Sequence, residues 1–153
     1  RLEVAGHVNG ITIIDDYAHN PAKISAALAA VSDTCAHVHA FWRPHGFTPL
    51  HQAMDELADA FSTHWKTNGG SIFILPVFYA GGTVERKATS EELVEKLNSA
   101  GVPASYVPDY ESLKHELESR ATEGDAILGM GARDPMLPLF VKQLVTEWKI
   151  SQP

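Results

Sequence analysis

Short β-rich apolar runs alternate with single-faced helical stretches along the whole of this 153-residue chain, and that alternation constrains its fold most. Residues 2–8 and 11–14 are β-rich and are separated by Asn9-Gly10, a pair that tolerates positive φ and so favours a tight antiparallel hairpin. Asn20 then suits a helix cap with Pro21 at the first helical position, where a missing N–H costs nothing, and Ile24, Ala27, Leu28 and Val31 form the buried stripe. Further strands are expected at 38–42, 72–75, 102–107 and 126–130. Between them the spacing predicts a helix over 50–61, one capped by Thr89 that runs through Asn98 to Gly101, and one capped by Asp109 that carries Leu113 and Leu117. A last helix carries Leu137, Phe140, Val141, Leu144 and Trp148.

Strands covered on both faces read as apolar runs, so the expected architecture is α/β: a Rossmann-like, doubly wound, mainly parallel sheet with an N-terminal antiparallel hairpin. At this length, with 44% hydrophobic residues, residues 1–153 are expected to form one domain. The stretches 67–70 and 80–83 read as loops, and no repeat or low-complexity tract interrupts the pattern. The chain opens without Met on a run that already reads as a strand, which is the expectation for a segment cut from a longer multidomain enzyme.

The formal charge of −7 argues against nucleic acid as a partner, because a hold on the phosphate backbone rests on clustered Lys and Arg. Cys35 is the only cysteine, so there is neither a disulfide framework nor a cysteine metal site. No apolar run approaches the roughly 18 residues a membrane span needs. Together with the lack of an export signal, this points to a cytoplasmic protein with no membrane partner.

In open parallel sheets ligands bind beyond the carboxyl ends of the strands, so three strand-to-helix loops stand out. Asp15-Asp16-Tyr17-Ala18-His19-Asn20-Pro21 places two carboxylates, a phenol and an imidazole before a helix N-terminus. Carboxylates accept from ribose hydroxyls and a histidine there can donate to phosphate, although the same Asp and Asn residues also serve as plain turn caps. The second loop, residues 41–49, carries Arg43 and His45, and the third, residues 129–135, carries Gly131 and Arg133. Glycines there let backbone N–H groups approach an anion, but a lone Gly-x-Gly fits a tight turn equally well. His7, His37, His39, His51, His64 and His115 have no metal-ligand spacing and read as ordinary exposed or half-buried histidines. Asp16 reads as an exposed loop carboxylate.

The string at 15–21, preceded by a Val-Asn-Gly hairpin and Ile-Thr-Ile-Ile, resembles the signature that opens the C-terminal domain of Mur ligases. The form with two aspartates is closest to the alanine-adding members, and folylpolyglutamate synthases carry a similar Asp-Gly-Ala-His-Asn-Pro. The resemblance implies an ATP-dependent amide-bond-forming ligase of peptidoglycan precursor synthesis, with ATP and Mg²⁺ held mainly by a central domain. Its partners are then a UDP-N-acetylmuramate-type substrate, an amino acid, and the N-terminal and central domains of the same chain. On the matching positions, Asp15, Asp16, Tyr17, His19 and Asn20 fall to nucleotide binding, with Asp16 on the ribose. His19 and His45 fall to catalysis, and Arg43, His45, Gly131 and Arg133 to the amino acid. The stretch 78–83 also resembles the family and is assigned no role.

The match is incomplete on the acceptor side. Gly46 and Pro49 stand where the alanine-adding enzymes have arginines, Arg43 replaces a Gln, and Arg133 replaces a Gly. No neighbouring residue type reproduces a guanidinium fork, so L-alanine as the substrate does not follow. No Gly-x-x-x-x-Gly-Lys-(Ser/Thr) stretch occurs, so these residues alone lack the loop that cradles ATP phosphates and are expected to be inactive alone. A non-catalytic nucleotide- or amino-acid-binding relative, or a folylpolyglutamate-synthase-type ligase domain, stands as the alternative.

Overall fold

A computed structural model describes residues 2–79 and 89–148, which form one six-stranded sheet with helices on both faces. The strands are β1 (Glu3–Val8), β2 (Ile11–Asp16), β3 (Val38–Trp42), β4 (Ser71–Ile74), β5 (Ser105–Tyr106) and β6 (Ala126–Met130). The helices are α1 (Pro21–Ser32), α2 (Phe47–Gln52), α3 (Met54–Asn68), α4 (Ser90–Ser99), α5 (Tyr110–Arg120) and α6 (Met136–Glu147). The strand order is β1-β2-β6-β3-β4-β5, with β1 antiparallel to β2 and the other pairs parallel. The expected doubly wound sheet with its opening hairpin is what forms.

Local chemistry explains most boundaries. Asn9 and Gly10 take φ of 52° and 78°, the paired positive values a two-residue hairpin requires, and Val8 then faces Ile11. Asn20 caps α1 by accepting from Lys23 N at 2.9 Å, Thr89 caps α4 by accepting from Glu92 N, and Asp109 caps α5 by accepting from Ser112 N at 2.7 Å.

Two expected elements differ. The helix predicted over 50–61 is two helices that meet at Ala53, whose φ and ψ of −104° and 11° leave the helical basin, and α3 runs on until Gly69 ends it at φ 76°. No breaker residue marks that corner, and packing decides it by burying Leu50 on one helix and Leu57, Ala58 and Phe61 on the next. The strand predicted over 102–107 pairs only at Ser105 and Tyr106, because Pro103 cannot donate to a ladder and β5 is the edge of the sheet. The predicted loop at 80–83 lies outside the described residues.

Side chains alternate across the sheet, which divides the core in two. Ala40, Trp42, Ile72, Ile74, Leu128 and Met130 pack under α1, α3 and α4, whereas Phe41, Phe73 and Ile127 pack under α5 and α6. Gly129 makes room for Phe41: a Cβ there would lie 2.4 Å from the ring. Gly129→Ala is expected to cost about 1–3 kcal/mol through overpacking, read as a lower urea midpoint at unchanged slope.

The histidine expectation needs correcting at two positions. His39 and His64 are buried, at 6% and 8% exposure. His39 Nε2 meets Asp125 Oδ2 at 2.9 Å and its Nδ1 meets Ser71 Oγ at 3.0 Å, while Asp125 also accepts from Thr122 N and Oγ1. The starts of β3, β4 and β6 are thereby tied together at the end of the sheet away from the three loops. No helix among the described residues is long and apolar enough to cross a membrane.

Candidate functional site

Strands β2, β6 and β3 are neighbours, so their carboxyl ends bring the three loops to one rim. Asp16 is the last residue of β2 and is buried at 8% exposure, not an exposed loop carboxylate as its sequence context implied. Its Oδ1 accepts from Ala18 N at 2.7 Å, which shapes the turn, and its backbone carbonyl accepts from Gly131 N at 3.1 Å, which ties the first loop to the third.

A cavity of about 540 Å³ opens beside this turn, lined by Asp16, Tyr17, Ala18, His19 and Lys23. Tyr17 is 60% exposed, and His19 is exposed with its Nδ1 at 3.2 Å from the Tyr17 carbonyl oxygen. A second cavity of about 370 Å³ lies on the other side of His19 and is lined by Asn20, Trp42, His45, Pro49 and Glu56 as well. The His19 and His45 rings are 5.6 Å apart and stand between the two spaces. Burial, then the neighbouring His19 and Arg133, hold the His45 pKa below its ordinary value, so its imidazole is neutral at pH 7 and can accept a proton.

Other sequence-nominated residues sit differently. Asp15 has the opposite parity on β2 and faces α6, where burial and then Glu3 and Asp16 raise its carboxyl pKa against the lowering effect of Lys142. Asn20 spends its side-chain oxygen on the α1 cap. Gly131 also spends its amide inside the protein, on Asp16, and a Cβ there would lie 2.9 Å from Leu137 Cδ1, so its smallness serves the contact between loops.

Arg43 lines neither cavity. Its Nη1 pairs with Asp134 Oδ2 at 3.1 Å, its Nε donates to the Pro76 carbonyl at 3.1 Å, and its guanidinium lies over the Phe78 and Tyr110 rings. Gly46 takes φ 87°, a conformation that a side chain would strain. Arg133 is exposed and, like Arg43, lines neither cavity.

With that geometry in hand, comparison with known proteins decides the family. A family profile described as "Mur ligase, glutamate ligase domain" matches residues 1–133. The chain belongs to this family. The Mur ligase domain is 34% identical over 135 residues to the UDP-N-acetylmuramate–L-alanine ligase of Acetivibrio thermocellus, covering 88% of this chain and 28% of that enzyme. It is 30% identical to the ligase of that name from Chelativorans sp., covering 100% of this chain and 30% of the relative. Its fold matches the crystal structure of a murein peptide ligase from Psychrobacter arcticus with a TM-score of 0.72, at 18% identity, over 99% of this chain and 30% of that one. The chain thus spans under a third of the length of these relatives.

Sequence reasoning missed Lys23, Glu56, Asp134 and Tyr110 in this Mur ligase domain. Lys23 was accessible in principle, since the first turn of a helix that follows a binding loop lines the same opening. Asp134 and Tyr110 carry no such signal, because their meeting with Arg43 joins segments that are distant along the chain.

Proposed function

We propose that this domain is the C-terminal part of an ATP-dependent ligase of peptidoglycan precursor synthesis. In that longer chain it closes over ATP with the cavity beside Asp16 and presents the His45–Arg133 rim to the incoming amine substrate. One observation carries the reading: a buried carboxylate, a lysine and a histidine line a cavity at the carboxyl end of a parallel strand, next to the N-terminus of α1. Asp16 suits a ribose hydroxyl, and Lys23 and His19 suit phosphate oxygens, so the cavity fits a nucleotide. ATP supplies the phosphoryl group that activates a carboxylate. The domain's own part is to bind and orient that nucleotide, exclude water on closure, and hold a neutral His45 near the attacking amine. Among the described residues there is no group of three or more His, Cys, Asp or Glu side chains that could hold a metal ion.

The test uses the full-length protein with UDP-N-acetylmuramate, ATP and Mg²⁺, and follows phosphate release and product mass across a panel of amino acids and peptides. Absence of amine-dependent release with every member sinks the ligase reading. Asp16→Asn is the informative variant. The amide oxygen still accepts from Ala18 N, while the other position presents a donor where a carboxylate oxygen stood. A rise in the KM for ATP of about 10–100-fold is expected, from the loss of a charged hydrogen bond, with only a small change in melting temperature. Asp16→Ala is the poorer probe, because it also removes the partner of a buried turn amide.

A further inference from the structure

A second cluster of polar side chains lies at the end of the sheet away from the three loops. A cavity of about 430 Å³ opens there, within the range of about 300–1,000 Å³ usual for small-molecule sites, and Asp125, Arg120, His37, Trp65 and Pro103 are among the residues that line it. The Asp125 side chain is 5% exposed. Its Oδ2 accepts from His39 Nε2 at 2.9 Å and from Thr122 N and Oγ1 at 3.0 and 3.2 Å. The nearest partner of Oδ1 is His37 Nδ1 at 3.7 Å, beyond hydrogen-bond reach. One oxygen of a buried carboxylate on the cavity wall therefore lacks a donor among the described residues, and a ligand N–H would supply it. His39 donates from Nε2 and accepts at Nδ1 from Ser71 Oγ, so it is neutral and leaves the carboxylate charge uncancelled.

Arg120 brings the opposite charge to the same wall. It ends α5 two residues before Thr122, so the chain itself keeps it near Asp125. Its Nε and Nη2 meet Glu116 Oε1 at 3.1 and 3.0 Å, an exposed pair of the kind that contributes little and yields readily to another anion. Two signs on one wall select the ligand. A simple anion is repelled by the carboxylate and a simple cation by the guanidinium, whereas a molecule with an ammonium and a carboxylate a few atoms apart satisfies both. Trp65, whose Nε1 donates to the Gly70 carbonyl at 3.1 Å, and Pro103 add apolar surface. We propose that this cavity binds a free α-amino acid with an apolar side chain, its ammonium on Asp125 Oδ1 and its carboxylate on Arg120. The site is separate from the rim and does not rest on the ligase reading.

Titration calorimetry of the full-length protein, without ATP or sugar nucleotide, compares L-leucine with isopentylamine, which lacks the carboxylate, and with 4-methylpentanoate, which lacks the ammonium. Leucine is expected to bind at least about tenfold more tightly than either analogue. Arg120→Gln, at an exposed position, is expected to raise the Kd for leucine about tenfold and to leave that for isopentylamine within about twofold. Asp125→Asn keeps the shape of the carboxylate and should weaken leucine and isopentylamine alike; if it does not fold, the Arg120 variant decides. His19→Ala, on the ligase rim, should leave leucine binding unchanged. No saturable binding of leucine, an analogue that binds as tightly as leucine, or an Arg120→Gln protein that binds leucine as the wild type does overturns the proposal. So does loss of leucine binding in His19→Ala, which places the amino acid at the rim instead.

Discussion

Asp125→Ala is expected to destabilise the folded domain by about 3–5 kcal/mol, lowering the melting temperature by roughly 6–20 °C. The carboxylate is buried at 4% exposure and is held between His39 Nε2 at 2.9 Å and the Thr122 amide and hydroxyl at 3.0 and 3.2 Å. Burial pushes its pKa up, but the hydrogen bonds from His39 and Thr122 outweigh burial and hold the carboxyl below its ordinary value. Removing it leaves the buried His39 Nε2 without an acceptor, and an unmet buried group costs more than a met one contributes, whereas the exposed Thr122 can turn its donors to water. His39 Nε2 carries the proton when it donates to Asp125, so Nδ1 accepts from Ser71. The unit thus ties three strands, and its loss reaches β3, β4 and β6 together. Asp125→Asn, which keeps the shape and one acceptor, should cost clearly less. Equal melting temperatures for wild type and Asp125→Ala would show that the cluster contributes nothing net. Because the Asp125 pKa is lowered, its share of stability is present above the ordinary value of 3.8 and is lost only as the pH falls below that.

Acidification from pH 7 to pH 4 is expected to cost about 2–3 kcal/mol through His64, after allowance for solvent screening. His64 lies on α3 against α1, and burial lowers its pKa from 6.5 to about 4. Its Nδ1 is 3.3 Å from Ser32 Oγ, and its Nε2 has no hydrogen-bond partner. The unfolded chain takes up a proton near pH 6.5 while the folded chain resists until about pH 4. The contribution is therefore complete above pH 6.5, declines through the interval, and is gone below pH 4. His64→Gln removes the titrating group, so its stability should fall less between pH 7 and pH 4 than that of the wild type, measured by urea unfolding at pH 7, 5.5 and 4. Parallel pH profiles for the two proteins would contradict the assignment.

Both residues had looked ordinary because a histidine's surroundings are not encoded near it. His39 is 86 residues from Asp125 and 32 from Ser71, and only the parallel register of β3 between β6 and β4 makes them neighbours. The rim shows the same limit. Arg43 looked like a substrate ligand because it follows a strand in a polar loop, yet Asp134, Pro76 and the two aromatic rings claim its guanidinium. Asp15 and Asp16 are adjacent and chemically identical, and the pleat sends one toward α6 and the other to the cavity.

Alternation of apolar runs and single-faced helices was sufficient by itself to specify a doubly wound α/β domain with an opening hairpin, since local propensity, caps and the two side-chain periods all act within a few residues. The signature at 15–21 likewise announced the family and the loop that carries Asp16 and His19. What the tertiary structure alone decided was the corner at Ala53, the strand order, the burial of His39 and His64, and the division of the rim between side chains that hold the loops and side chains that face the cavities. Those outcomes depend on contacts between segments far apart along the chain, where packing and mutual desolvation choose among partners that any short window of sequence leaves equivalent.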